Sequence, residues 1–190
     1  MTVSVPALLV LPRPAADEHP PYFAAYVDAV PDERIGAQLQ AQGDQLARLL
    51  APLDDEAARH RYAPGKWSVK EVVGHLADVE RVFAYRLLRI VRGDVTPMPG
   101  FDEDAWVAAA DFDARPSSAL VDEFRAARAS TLALAMSVPA AHWARRGTAS
   151  THVVSARAMA WLLVGHVAHH VRLLHERYGI APAIAVDARD

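Results

Sequence analysis

Apolar residues recur along this chain at spacings of three and four for long stretches, and alternation with a period of two is hardly visible. Four segments carry the helical pattern. The first runs from about Asp32 to Leu50, where Ile35, Leu39, Leu46, Leu49 and Leu50 share a stripe and Asp32, after Pro31, is the expected N-cap. The second opens at Ser68 with Glu71 three residues on, a capping-box spacing. It continues through Val72, Leu76, Val79, Phe83, Leu87 and Ile90 and stops at Gly93, with Arg89 and Arg92 suitably placed in its last turn. The third starts near Ser117 or Ser118, carries Leu120, Phe124, Ala127, Leu132, Leu134 and Met136, and ends before Pro139. The fourth runs from about Ser155 to Tyr178, with Gly179 as the stop.

Helices of this size are each about 30 Å long. Together they predict an all-α fold, an antiparallel four-helix bundle with a long loop between the second and third helices. That loop, Gly93 to Arg115, holds Phe101, Trp106 and Phe112 and is expected to pack as a cover. A single domain is expected over residues 1–190. Its core bundle is at about 32–179, preceded by an irregular N-terminal arm (1–31) and followed by a C-terminal tail (180–190).

Composition narrows the function. At 190 residues, 52% hydrophobic and 23% charged, the chain can build a core without disulfides. Net charge is −3 and the longest basic run is Arg145-Arg146, which argues against a nucleic-acid partner. There is no cysteine, which excludes disulfides, a cysteine nucleophile and thiolate metal sites, and makes the cytoplasm the expected compartment. The apolar run from Met1 to Pro12 is broken by prolines and has no leading positive charge, so no secretory signal is expected. No stretch approaches the roughly 20 apolar residues of a membrane span.

Histidine is the unusual component, with nine against two lysines. His166 and His170, four apart in the last helix, share one face, a spacing at which two imidazole nitrogens can meet one metal ion. The same pair is also compatible with surface histidines, or with core histidines hydrogen-bonded to the backbone. Val167 stands where a zinc-protease motif has glutamate. His75, midway along the second helix between Val72 and Val79, is a third candidate, because facing helices of a bundle supply ligands from such positions. Three imidazoles leave coordination positions open, as a catalytic rather than a closed structural site does. Asp78 could orient His75 from behind, or pair with Arg81. Arg81 and Arg86 are candidates for holding an anionic substrate, with solvated or dimer-facing side chains as the alternative. His169 is turned about 100° from His170, which suits packing or a substrate contact at a pocket rim.

The segment from Tyr62 to Arg81 contains Gly65-Lys66-Trp67-Ser68 followed by His75-Leu76, Asp78 and Glu80. Together with Gly165-His166-Val167-Ala168-His169-His170 and Glu176-Arg177-Tyr178, it resembles the two signatures of the DinB/YfiT-like family. The resemblance extends from about Tyr22 to Tyr178, and concerns the stress-inducible group rather than the DNA polymerase of the same first name. It implies a four-helix bundle, commonly a homodimer, that holds a divalent metal through residues matching His75, His166 and His170. Zinc or nickel is the expected ion, with iron or copper also suited to imidazole. The implied function is a transferase that activates a low-molecular-weight thiol, of the bacillithiol or mycothiol type, for attack on a small electrophile. A metal-dependent hydrolase and a non-catalytic metal-binding stress-response module are the alternatives. Val167 departs from the pattern, since many relatives carry an acid there, and so no general base is expected at that position.

Overall fold

The computed structural model describes residues 9–181, so the ends of the expected arm and tail, including the run before Leu9, lie outside the described residues. The elements are α1 (Ala24–Asp28), α2 (Ile35–Leu50), α3 (Val69–Arg92), α4 (Glu103–Ala110), α5 (Ser117–Met136), β1 (Arg146–Ala149), β2 (His152–Ser155) and α6 (Ala156–Tyr178). The four long helices, α2, α3, α5 and α6, form the bundle.

Their ends form where the local chemistry directs. Ser68 Oγ accepts from the Glu71 amide at 3.0 Å while the Ser68 amide donates to the Glu71 carboxylate at 2.7 Å, closing the capping box on α3. Ser155 caps α6 by accepting from the Ala158 amide, and Gly93 and Gly179 end α3 and α6 in the left-handed conformation (φ 80° and 68°). Asp32 does not cap α2, which begins three residues later. Its carboxylate instead accepts from the Arg34 amide and the Gln38 side chain, a local turn that competes with the helix.

Two core clusters reveal the helix directions. Leu39 of α2, Leu87 and Ile90 of α3, Ala135 of α5 and Leu162 of α6 pack at one end; Leu49, Leu76, Phe124 and Leu174 pack at the other. Hence α2 and α6 run one way, α3 and α5 the other. Both α2 and α3 pack against α5 and α6, so chain neighbours α2/α3 and α5/α6 sit on diagonals. Contacts α2/α5 and α3/α6 are antiparallel, whereas α3/α5 and α2/α6 are parallel. The parallel α3/α5 pair accounts for the long connection: the chain must travel back along the bundle, a distance of about 36 Å for a helix as long as α3. The connection covers the bundle as expected, but it also contains α4, and Phe112 is buried against α3.

The structure adds a β1–β2 hairpin to the helical pattern; its four-residue strands are too short to leave a periodic signal in the sequence. Its two-residue turn, Ser150-Thr151, has positive φ at both positions (49° and 70°) without glycine, the signature of a type I′ turn under strain. Met98 hydrogen-bonds to both Thr148 and Ser150, joining the hairpin to the start of the crossing segment. The arm also packs more closely than expected. Leu11, Val27 and Val30 are in the core, the Trp161 indole donates to the Leu11 carbonyl, and Glu18 accepts from Ser155 and Arg157.

On α5 the apolar stripe expected through Leu132, Leu134 and Met136 is only partly buried, and Met136 is exposed; Arg128 and Thr131 face inward instead. Arg128 forms a buried ion pair with Glu80 of α3 (2.8 Å) and donates to Gln42 of α2 and to the Leu163 carbonyl of α6. Gln42 donates in turn to the Val164 carbonyl, so one polar layer joins all four helices. Removing one charge strands the other in the core. Arg128→Leu should therefore cost about 3–5 kcal/mol in chemical denaturation, while the Glu80→Leu/Arg128→Leu pair should recover most of that loss.

Candidate metal centre

α3 and α6 bring His75, His166 and His170 together. All three are buried, and their ligating nitrogens lie within 4.8 Å of one another. His166 Nε2 is 3.2 Å from His75 Nε2 and 3.1 Å from His170 Nε2. Two nitrogens bound at about 2.1 Å to one ion at a tetrahedral angle are roughly 3.4 Å apart, so these separations are close to what a shared cation needs.

The protonation chemistry supports the same reading. Burial pushes the His75 pKa down to about 4 and those of His166 and His170 well below their ordinary value, with the neighbouring histidines adding to the effect on the last two. All three rings are therefore neutral near pH 7. A neutral ring nitrogen holds one proton or one lone pair, so His166 Nε2 cannot form good hydrogen bonds with both neighbours at once. The His170 Nδ1 is also buried without a partner. Three convergent, uncharged imidazole nitrogens fit a divalent cation of the zinc, nickel, iron or copper type.

Glycines next to the ligands give the surrounding segments room. A Cβ on Gly74 would lie 2.3 Å from the Phe112 ring, and one on Gly165 would lie 2.1 Å from the Tyr26 carbonyl oxygen. Gly165 thus allows the α1 backbone to rest on α6, which places Tyr26 edge-on to His166 (5.5 Å between ring centres) and beside His169. Trp67 covers His75 at 4.7 Å.

The triad lines a cavity of about 280 Å³ whose other polar groups include Tyr22, Arg86, Glu103 and Ser150. Of the proposed substrate residues, Arg86 lines this cavity. Arg81 does not; it is exposed and paired with Asp78 and Glu123. The only hydrogen-bond partner found for Asp78 among the described residues is Arg81, so an orienting bond to His75 is absent there. His169 is turned out of the triangle toward Tyr26. Tyr22, Glu103 and Ser150 come from the arm, the crossing segment and the hairpin turn, where no motif marks them.

The DinB superfamily profile matches residues 38–174. A protein of Oceanobacillus iheyensis, named as a candidate metal-dependent hydrolase, is 29% identical over 70 residues, which are 36% of this chain and 40% of that protein. This chain thus spans about 40% of the length of that relative. Among solved structures, YfiT from Bacillus subtilis, described as a probable metal-dependent hydrolase with an unusual four-helix bundle topology, aligns with a TM-score of 0.66 at 20% identity, covering 80% of this chain and 91% of that one. A mycothiol-dependent maleylpyruvate isomerase aligns with a TM-score of 0.58 at 18% identity, over 78% of this chain and 62% of that one. At these identities the likeness is one of fold.

Two outcomes follow from this geometry. Unfolded histidines titrate near 6.5, and the folded ones lower, so between about 4 and 6.5 the unfolded chain binds more protons. The metal-free protein should hold its full share of this stability above about pH 6.5 and lose it as pH falls toward 4. Denaturation midpoints across that range should show the loss, and His75→Gln should flatten it. Gly165→Ala should displace α1, lower the melting temperature and expose the His166 ring, as read by hydrogen exchange in residues 22–30.

Proposed function

This chain belongs to the DinB superfamily, and on that premise we propose that it is a metal-dependent enzyme whose divalent cation is held by His75, His166 and His170. The observation that carries the reading is the meeting of three neutral, buried imidazole nitrogens at the wall of a cavity large enough for a small substrate. When bound, the cation supplies Lewis acidity, which lowers the pKa of a thiol or water reaching it. The protein's own groups do the rest. Burial keeps the imidazoles unprotonated, Tyr26 and Trp67 limit water around them, and the pKa of Tyr26 is raised by burial, so its phenol stays neutral. Val167, buried in the core, leaves no acid beside His166; Glu103 is the carboxylate that lines the cavity.

The substrate pair favoured here is a low-molecular-weight thiol and a small electrophile. A chain without cysteine must receive its thiol nucleophile from a cosubstrate, and one fold relative is named for a mycothiol-dependent reaction. Hydrolysis is the second reading, favoured by the names of the other two relatives. A homodimer, a role in stress or detoxification and a cytoplasmic location complete the proposal. Among the described residues no helix is long and apolar enough to cross a membrane.

Protein purified without an affinity tag should carry about one divalent ion per chain, and His166→Ala should lose it. Conjugation of a thiol to a chromogenic electrophile should require both the ion and His75, falling by about two orders of magnitude in His75→Ala. Turnover of an ester or amide without thiol would select the hydrolase. A metal that raises the melting temperature with neither activity would reduce the site to a structural role.

A further inference from the structure

Arg86 is buried, only 4% exposed, and its hydrogen-bond partners among the described residues include no carboxylate. Its Nη2 donates to the Pro99 carbonyl and to Ser150 Oγ, both at 2.9 Å, while Nε and Nη1 have no hydrogen-bond partner among those residues. A buried arginine is usually matched by an acid, because leaving the charge unpaired is costly. Here the guanidinium is instead held in place by two neutral acceptors, one of them on the strained Ser150-Thr151 turn, and rests over the Phe101 ring at 5.7 Å. Two bonds fix its orientation, and the remaining N–H groups are free for a ligand.

His75, Val79, Phe83 and Arg86 all line the triad's cavity and lie on one face of α3. Eleven positions separate His75 from Arg86, about 20° from a whole number of turns and about 16 Å of rise. The α3 wall of the cavity is thus a trough, with imidazole nitrogens at one end, Val79 and Phe83 in the middle and the held guanidinium at the other, while Tyr22 and Glu103 line it from other segments. We infer that Arg86 is an anion subsite, and that the substrate is a small elongated acid. Its carboxylate binds Arg86, its apolar stem lies on Phe83 and Val79, and its reactive centre lies at the opposite pole. The inference rests on the metal-centre reading only for the reacting end.

Arg86 and Phe101 also border a second, outer hollow lined by Tyr85, Met98 and Trp106, so the test must distinguish the two spaces. Hexanoate and its neutral counterpart hexanamide are titrated into chelator-treated protein, followed by calorimetry and by the indole N–H signals of Trp67 and Trp106. Hexanoate should bind the wild-type protein roughly 10- to 100-fold more tightly than hexanamide, the range of a charge-assisted hydrogen bond, and should shift Trp67. Arg86→Gln should abolish that preference while hexanamide binding persists, which also shows that the variant is folded. Equal binding of the two probes, a shift confined to Trp106, or an undiminished preference in the folded variant would overturn the inference. Should Arg86→Gln not fold, the wild-type comparison and the location of the shift still decide. Because metal-free protein is used, failure of the metal reading would appear separately, in the elemental analysis.

Discussion

The polar layer of Gln42, Glu80 and Arg128 with the α6 carbonyls is the constraint on which the rest of the arrangement depends. An apolar seam tolerates sliding, whereas a buried charge pair with directed hydrogen bonds is satisfied at one axial register only. Leu163 and Val164 accept from this layer, and His166 follows directly on the same helix; Glu80 follows His75 by little more than a turn on α3. Holding the layer in register therefore holds the imidazoles opposite one another.

The layer also shapes the electrostatics. Burial is the main cause that keeps His166 uncharged, the neighbouring histidines add to it, and Arg128 of the layer acts last and in the same direction. A site that keeps its rings neutral retains its lone pairs for a cation, but the desolvation that achieves this destabilises the protonated form. The same burial that prepares the donors makes them dependent on a partner. Around them, Phe112 and α1 close over glycines that a side chain would have pushed away, and segments outside the four long helices complete the wall that α3 and α6 begin.

Much of this was legible in the chain. Ser68 with Glu71, Ser155, Gly93 and Gly179 mark helix ends by local chemistry, and the α3 stripe from Val72 to Ile90 marks its buried face. The three histidines stood out because polar rings interrupt apolar rows at helical spacing. Other features were hidden for physical reasons. Arg128 looks like a solvated residue until Glu80 is placed against it across the bundle, so periodicity alone runs the α5 stripe through Leu132, Leu134 and Met136 instead. Asp32 has the composition of a cap, but its carboxylate is used in its own turn. Relative helix directions are a property of the connections rather than of any helix pattern. Tyr22, Glu103 and Ser150 reach the cavity from an arm, a short helix and a hairpin turn, where spacing carries no information about tertiary position.

Placing chain neighbours on diagonals has a kinetic consequence. No helix can dock on the one that immediately precedes or follows it in the bundle sequence except α3 on α5, and those two are separated by the crossing segment. His75 and His166, 91 positions apart, meet only when the last helix seats. Closing such distant pairs is entropically slow, and partly folded chains hold at most one or two of the three imidazoles. On the proposed function, capture of a divalent ion would thus be a late event in maturation, because the three imidazoles are complete only once α6 has seated.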